Sequence, residues 1–186
     1  MPTEPSKPRP MATRLLLSAL LISVATLLIP SAASAGGGIS SDGSTTEMVP
    51  GSEAKLVKGK AIAPADAPPE VQDVIAAANK IRNKPYVYGG GHGSFKDKGY
   101  DCSGAVSYAL HGGGLLKAPL DSSGLARYGQ KGKGGWITVY GAGSHAYMVV
   151  AGLRFDTAMT KGDGPSWSRS LRSTPESYAK RHPKNL

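Results

Sequence analysis

This chain of 186 residues contains a single cysteine, Cys102. One cysteine excludes an internal disulfide and a multi-cysteine zinc site. No cluster of His, Cys, Asp and Glu has metal-ligand spacing, so no metal or other cofactor is expected. Acidic residues are few: 13 Asp and Glu stand against 22 Lys and Arg, a net charge of +9. Zinc-finger spacing, a basic helix and an interleaved aromatic stripe are all missing, so nucleic acid is not the expected partner. Two readings of the basic excess stay open: attraction to an anionic polymer or membrane surface, or lysines that serve solubility alone. No internal repeat is visible. The only long apolar run, Leu15 to Ile29, is shorter than the roughly 18–20 residues a spanning helix needs.

What is present at the N-terminus is the grammar of export. Lys7, Arg9 and Arg14 precede the apolar run, and Ala33-Ser34-Ala35 follows it as a small-residue cleavage pattern. Residues 1–35 therefore read as a signal peptide, with an uncleaved anchor as the alternative and Met11 as a second candidate start. Residues 36–69 are rich in Gly, Ser, Thr, Ala and Pro, with almost no large apolar side chains. They read as a flexible tether. Leu56-Val57 and Ala61-Ile62 are the only hints of a strand there.

The folded domain is expected over residues 70–186. Val71, Val74, Ile75, Ala78 and Ile81 recur at helical spacing, which predicts an amphipathic helix over 70–82. Pro68-Pro69 opens it and Asn83-Lys84-Pro85 ends it. Tyr86-Val87-Tyr88 is a short extended piece before the loop Gly89-Gly90-Gly91-His92-Gly93. A second helix follows Cys102, with Val106, Ala109 and Leu110 on one face and Gly112-Gly113-Gly114 as its stop. Residues 136–140, 145–151 and 154–158 read as strands, the last two joined as a hairpin at Gly152. Helices first and strands afterwards predict an α+β domain.

Cys102 falls at the first turn of the second helix, with Asp101 as N-cap. Unsatisfied N–H groups and the positive helix end there favour thiolate over thiol and suit a developing oxyanion. The local sequence leaves two readings open: a nucleophile, or a small residue packed under its helix. A nucleophile needs a base. Among the four histidines, His182 lies in a polar tail, and His111 is nine residues along the cysteine's own helix. His92, in the glycine loop, is a candidate substrate contact. His145 opens an apolar strand that holds an imidazole rigidly.

Three segments in this order carry a resemblance: Pro85-Tyr86-Val87-Tyr88-Gly89-Gly90, Asp101-Cys102-Ser103-Gly104 and Ser144-His145-Ala146-Tyr147-Met148-Val149. Together, over about residues 70–160, they resemble the NlpC/P60 family of bacterial cell-wall cysteine peptidases. The resemblance implies a papain-like α+β core, with the cysteine helix packed on a small antiparallel sheet. It implies a secreted enzyme that hydrolyses peptidoglycan stem peptides, typically between D-γ-glutamate and a diamino acid. Peptidoglycan is then the expected partner, anionic wall polymers a further one, and a monomer the expected state. Residue by residue, Cys102 matches the nucleophile and His145 the base. Tyr86 matches a tyrosine placed for oxyanion or substrate, and Asp101 and Ser103 match positions that contact the substrate's free amine in some members.

Asp156, eleven residues after His145, is the best match to the family's histidine-orienting residue. A two-residue turn at Gly152-Leu153 would pair it with Val149, on the same face as His145 but about 13 Å along the strand. Contact then needs a bulge, strong twist or another register. The chain also departs from the family: Tyr88 replaces the usual tryptophan, and Gly132-Lys133-Gly134-Gly135-Trp136 stands where a proline-glycine-aspartate segment is common. Trp167 and Tyr178 are expected as packing anchors in a tail without chemistry. A cell-wall amidase or acyltransferase on the same core, and a binding module without catalysis, remain as rival readings.

Overall fold

The computed structural model describes residues 38–39, 45–159, 164–173 and 177–186; for 38–39 and 45–46 it describes the backbone alone. All of them lie in one unit, Ala33–Leu186. The expected signal peptide over 1–35 lies outside the described residues.

In chain order the elements are β1 (Gly38–Ile39), β2 (Thr45–Thr46), β3 (Met48–Val49), β4 (Lys55–Val57), β5 (Lys60–Pro64), α1 (Pro69–Ile81), α2 (Cys102–Gly112), α3 (Ser122–Leu125), β6 (Gln130–Lys131), β7 (Ile137–Gly141), β8 (Ala146–Val150), β9 (Leu153–Asp156), β10 (Ser166–Ser168) and β11 (Ala179–His182). The main sheet runs β10-β9-β8-β7-β11-β6, and every pairing in it is antiparallel. This is the α+β architecture read from the order of helical and strand patterns.

One face of that sheet is apolar by strand alternation. Ile137 and Val139 on β7, Ala146, Met148 and Val150 on β8, and Phe155 on β9 are all fully buried. The two helices close over this core with Val71, Val74, Ile75 and Ala78 from α1 and Val106, Ala109 and Leu110 from α2. The opposite parity, Tyr140 and Tyr147, stacks with ring centroids 4.6 Å apart. Trp167 serves as the expected anchor, buried against Phe155 with ring centroids 4.8 Å apart.

The segment read as a tether needs correction. From Met48 to Pro64 it folds into a three-stranded sheet in the order β3-β5-β4. The hinted strand at Ala61-Ile62 is its centre. Ala61, Ala63 and Ala67 join the main core cluster. The sequence criterion failed because it asked for large apolar side chains. Alanines bury little area each, but they let α1 approach closely, and polar pairing does the rest. Asn79 of α1 donates from Nδ2 to the Ala61 carbonyl at 2.8 Å and accepts the Ala61 N–H at 3.0 Å. Its Oδ1 also accepts the Trp167 indole N–H at 3.1 Å. One buried amide thereby ties the small sheet, α1 and β10 together. The packed core therefore takes in residues from Met48 onward, well before residue 70.

Candidate active site

The site begins with the turn into α2. Asp101 is extended (φ −87°, ψ −173°), and its carboxylate accepts the Gly104 N–H at 2.8 Å, as an N-cap should. Its Oδ2 also accepts the Gly89 N–H at 3.1 Å, and its own N–H donates to the Gly90 carbonyl at 3.2 Å. A further bridge joins Tyr86 to Tyr100. These bonds stitch the 85–91 loop to the chain entering α2. They also explain Gly104: a Cβ there would run into the Gly90 carbonyl oxygen. Loop and helix start are one rigid piece, with Cys102 at its head and only 9% exposed.

His145 stands one residue before β8, in a tight loop where its carbonyl accepts the Ala142 N–H at 2.9 Å. The next backbone N–H, that of Ala146, and the His145 imidazole both act on the Cys102 sulfur and favour its thiolate. On its other side, His145 Nε2 lies 2.9 Å from Asp156 Oδ1. Asp156 is buried to 2% exposure. An ionised carboxylate only accepts, so Nε2 carries a proton and Nδ1 is the nitrogen left for the thiol.

The Cys102–His145–Asp156 alignment depends on register. The β8–β9 turn is Ala151-Gly152, one residue earlier than expected, and both residues have positive φ, 44° and 86°. This is the primed geometry that suits hairpin twist. Val150 then faces Leu153 and Met148 faces Phe155, which sets Asp156 opposite Tyr147. Asp156 thus becomes a diagonal neighbour of His145 on one face, a separation of roughly 7–8 Å between backbones that side chains span. The parity was right, and the 13 Å gap came from the wrong turn.

Electrostatics follow from this contact. For His145, burial disfavours the imidazolium, but hydrogen bonds and charge from Asp156 and Cys102 prevail and push its pKa up to about 9. For Cys102, burial favours the neutral thiol. The His145 and Ala146 hydrogen bonds and the imidazolium charge outweigh it, and the thiol falls below its usual range. Burial likewise opposes ionisation of Asp156, and its bonds to His145 and the Ala158 N–H hold the carboxyl below its usual value. The pair therefore favours thiolate and imidazolium.

The remaining expected residues take distinct places. Tyr86 is 41% exposed. Its phenol is raised by partial burial first, then by the nearby negative charges of Cys102 and Asp101. His92 does not join His145. Its Nε2 sits 3.0 Å from Ser103 Oγ and 3.1 Å from Asp101 Oδ1, so the three form their own cluster at the helix start. Sequence reasoning missed Arg172. Its Nη1 donates to Asp156 Oδ2 at 3.3 Å, and its guanidinium lies over Tyr147 and Tyr178, 5.3 and 5.9 Å from the ring centroids. No local pattern marks it, because it approaches from sixteen residues beyond Asp156. No group of three or more His, Cys, Asp or Glu among the described residues is arranged to hold a metal ion.

No family profile and no curated protein matches this chain. Solved structures do. The P60 domain of an antigen from Mycobacterium avium subspecies paratuberculosis is 21% identical, with a TM-score of 0.46 over 60% of this chain and 93% of that one. The RipD protein of Mycobacterium tuberculosis, a non-catalytic NlpC/p60 domain protein adapted to peptidoglycan binding, is 23% identical (TM-score 0.47; 62% and 98% covered). These neighbours are NlpC/P60 domains. The peptidoglycan hydrolase RipB of the same organism is 24% identical (TM-score 0.47), covering 60% of this chain and 64% of its own. At these identities and TM-scores no residue role passes from them to this chain.

Proposed function

We propose that this protein is an exported cysteine peptidase of the NlpC/P60 type that hydrolyses peptidoglycan stem peptides, at the D-γ-glutamyl–diamino acid bond. The observation that carries the reading is Cys102 at a helix N-terminus, acted on by His145, whose Nε2 in turn lies 2.9 Å from Asp156 Oδ1. Its electrostatics favour the charged pair that thiol catalysis uses.

In the proposed reaction the Cys102 thiolate attacks the stem-peptide carbonyl carbon. Negative charge moves to the carbonyl oxygen, where the N–H groups at the start of α2 and the Tyr86 hydroxyl stabilise it. The carbon–nitrogen bond breaks as His145 gives its Nδ1 proton to the leaving amine, and a thioester remains on Cys102. Neutral His145 then takes a proton from water as the water attacks the thioester. The carboxylic acid product leaves and gives its proton to solvent, and the thiolate–imidazolium pair returns. Asp156 keeps the ring oriented and supports its charge. Asp101, Ser103 and His92 border the same helix start and are proposed as substrate contacts. The net charge of +9 suits an anionic wall.

The test is digestion of purified, defined muropeptides with identification of the new termini. New D-γ-glutamyl and diamino-acid ends are expected from the wild type and none from Cys102→Ala. Undiminished peptide release by Cys102→Ala or His145→Ala overturns the reading.

A further inference from the structure

Asp156 holds more positive charge than a histidine-orienting carboxylate needs. Its two oxygens divide the work. Oδ1 accepts from His145 Nε2 at 2.9 Å and from the Ala158 N–H at 3.0 Å. Oδ2 faces two arginines: Arg172 Nη1 at 3.3 Å and Arg154 Nε at 3.8 Å. The Arg154 side chain rises from β9 beside the carboxylate. Arg172 arrives from the segment between β10 and β11, seated over Tyr147 of β8 and over Tyr178. Arg172 also lines a cavity of about 250 Å³ with Lys133 and Lys180.

We propose that Arg172 is a positioning residue of this site, which grips Oδ2 so that Oδ1 stays on His145 and which shares the carboxylate's charge so that the imidazolium can still give up its proton. This rests on the thiol chemistry proposed above.

Competing demands meet on the Asp156 carboxylate. Alone and buried, Asp156 would pull strongly on the imidazolium. An imidazolium held too tightly makes a stable ion pair but a poor acid toward the leaving amine. A second cation on Oδ2 draws off part of that negative charge and also repels the imidazolium. A bond to Oδ2 at the same time fixes carboxylate rotation, which a single bond at Oδ1 would leave loose. Among the described residues, the other charged or titratable groups near His145, Asp156 and Arg172 include Cys102 of α2, Asp101 at its cap, Tyr86, Tyr140, Tyr147, Tyr178, Arg154, and the cavity lysines 133 and 180. Of these, Arg154 approaches Oδ2 only at 3.8 Å. Arg172 makes the closer contact from a distant part of the chain.

The experiment reads the ion pair directly, without peptidoglycan. Iodoacetamide alkylation of Cys102 is measured against pH in wild type, Arg172→Met, Arg172→Lys and Tyr178→Leu, each checked for an intact melting transition. Alkylation needs only the thiolate, so the alkaline limb is the second step in rate at which loss of the His145 proton leaves that thiolate unpaired. In Arg172→Met that limb is expected to move up by about 0.5–1 pH unit, with peptidase turnover reduced. Arg172→Lys restores most of the limb position, and Tyr178→Leu moves it in the same direction by less. A merely structural arginine would lower the melting temperature and leave the limb in place; that result overturns the proposal alone. Arg172→Lys behaving like Arg172→Met does the same. A wild-type Cys102 that reacts as an ordinary thiol overturns both this proposal and the ion-pair chemistry beneath it.

Discussion

Cys102 and His145 are neither an ordinary thiol nor an ordinary imidazole, because each is the other's counter-charge. Burial alone would neutralise both. The interactions among Cys102, His145, Ala146 and Asp156 reverse that outcome. Under the proposed chemistry, a bell-shaped profile of Cys102 reactivity toward substrate follows, with macroscopic values that belong to the pair. Its acid limb lies below the free thiol's value of about 8.5, and its alkaline limb lies at about 9. Asp156→Asn removes the charge that supports the imidazolium, so the alkaline limb is expected to fall, as stopped-flow alkylation would show. His145→Ala should reduce turnover by about 100-fold or more, the usual worth of a positioned acid–base group.

Among the elements, α2 matters for how its start is held. Asp101 caps the helix and clamps the 85–91 loop with one carboxylate. Gly104 lets the two backbones touch. Gly104→Ala is therefore expected to cost about 1–3 kcal/mol, the range for overpacking a closed core, with slower alkylation of Cys102 as the loop shifts. Urea denaturation and the alkylation rate check the two parts. On α1, Asn79 offers a side-chain amide where a strand would offer backbone. Asn79→Ala leaves buried partners on Ala61 and Trp167 unsatisfied. A loss of about 2 kcal/mol or more is expected, read as a lower urea midpoint.

At the scale of the whole molecule, the small β3-β5-β4 sheet belongs to the folded unit. A charge placed at Ala63, 3% exposed in the core, tests that. Ala63→Asp should destabilise by about 3 kcal/mol, as an unpaired buried charge does, whereas a loose tether would tolerate it. The Asp156–His145 pair also ties global stability to pH. Asp156 has a lowered value, so its contribution is present above the ordinary carboxylate value of about 4 and is lost as pH falls through the folded value. His145 has a raised value. Its contribution is complete below 6.5 and is lost as pH rises through about 9. The melting-temperature gap between wild type and Asp156→Asn should be widest between these limits and close on both sides.

Local physics made α1, α2 and the strands of the β8–β9 hairpin legible: apolar spacing, an Asp N-cap and glycine stops act over a few residues, and the chain alone carries them. The placement of Cys102 at a helix head and of His145 at a strand edge came from such signals. The same signals misjudged Met48 to Ala67, because alanine burial and a single buried amide leave no periodic trace. They also misplaced the hairpin turn, since Ala151 takes a positive φ without being glycine. By itself, then, the sequence determined the helix that carries Cys102 and the strand that follows His145. Only the tertiary structure decided that Asp156 meets His145 and that Arg172 closes on Asp156. Register and contacts across many residues depend on how whole elements pack, and no local stretch of chain encodes that alone.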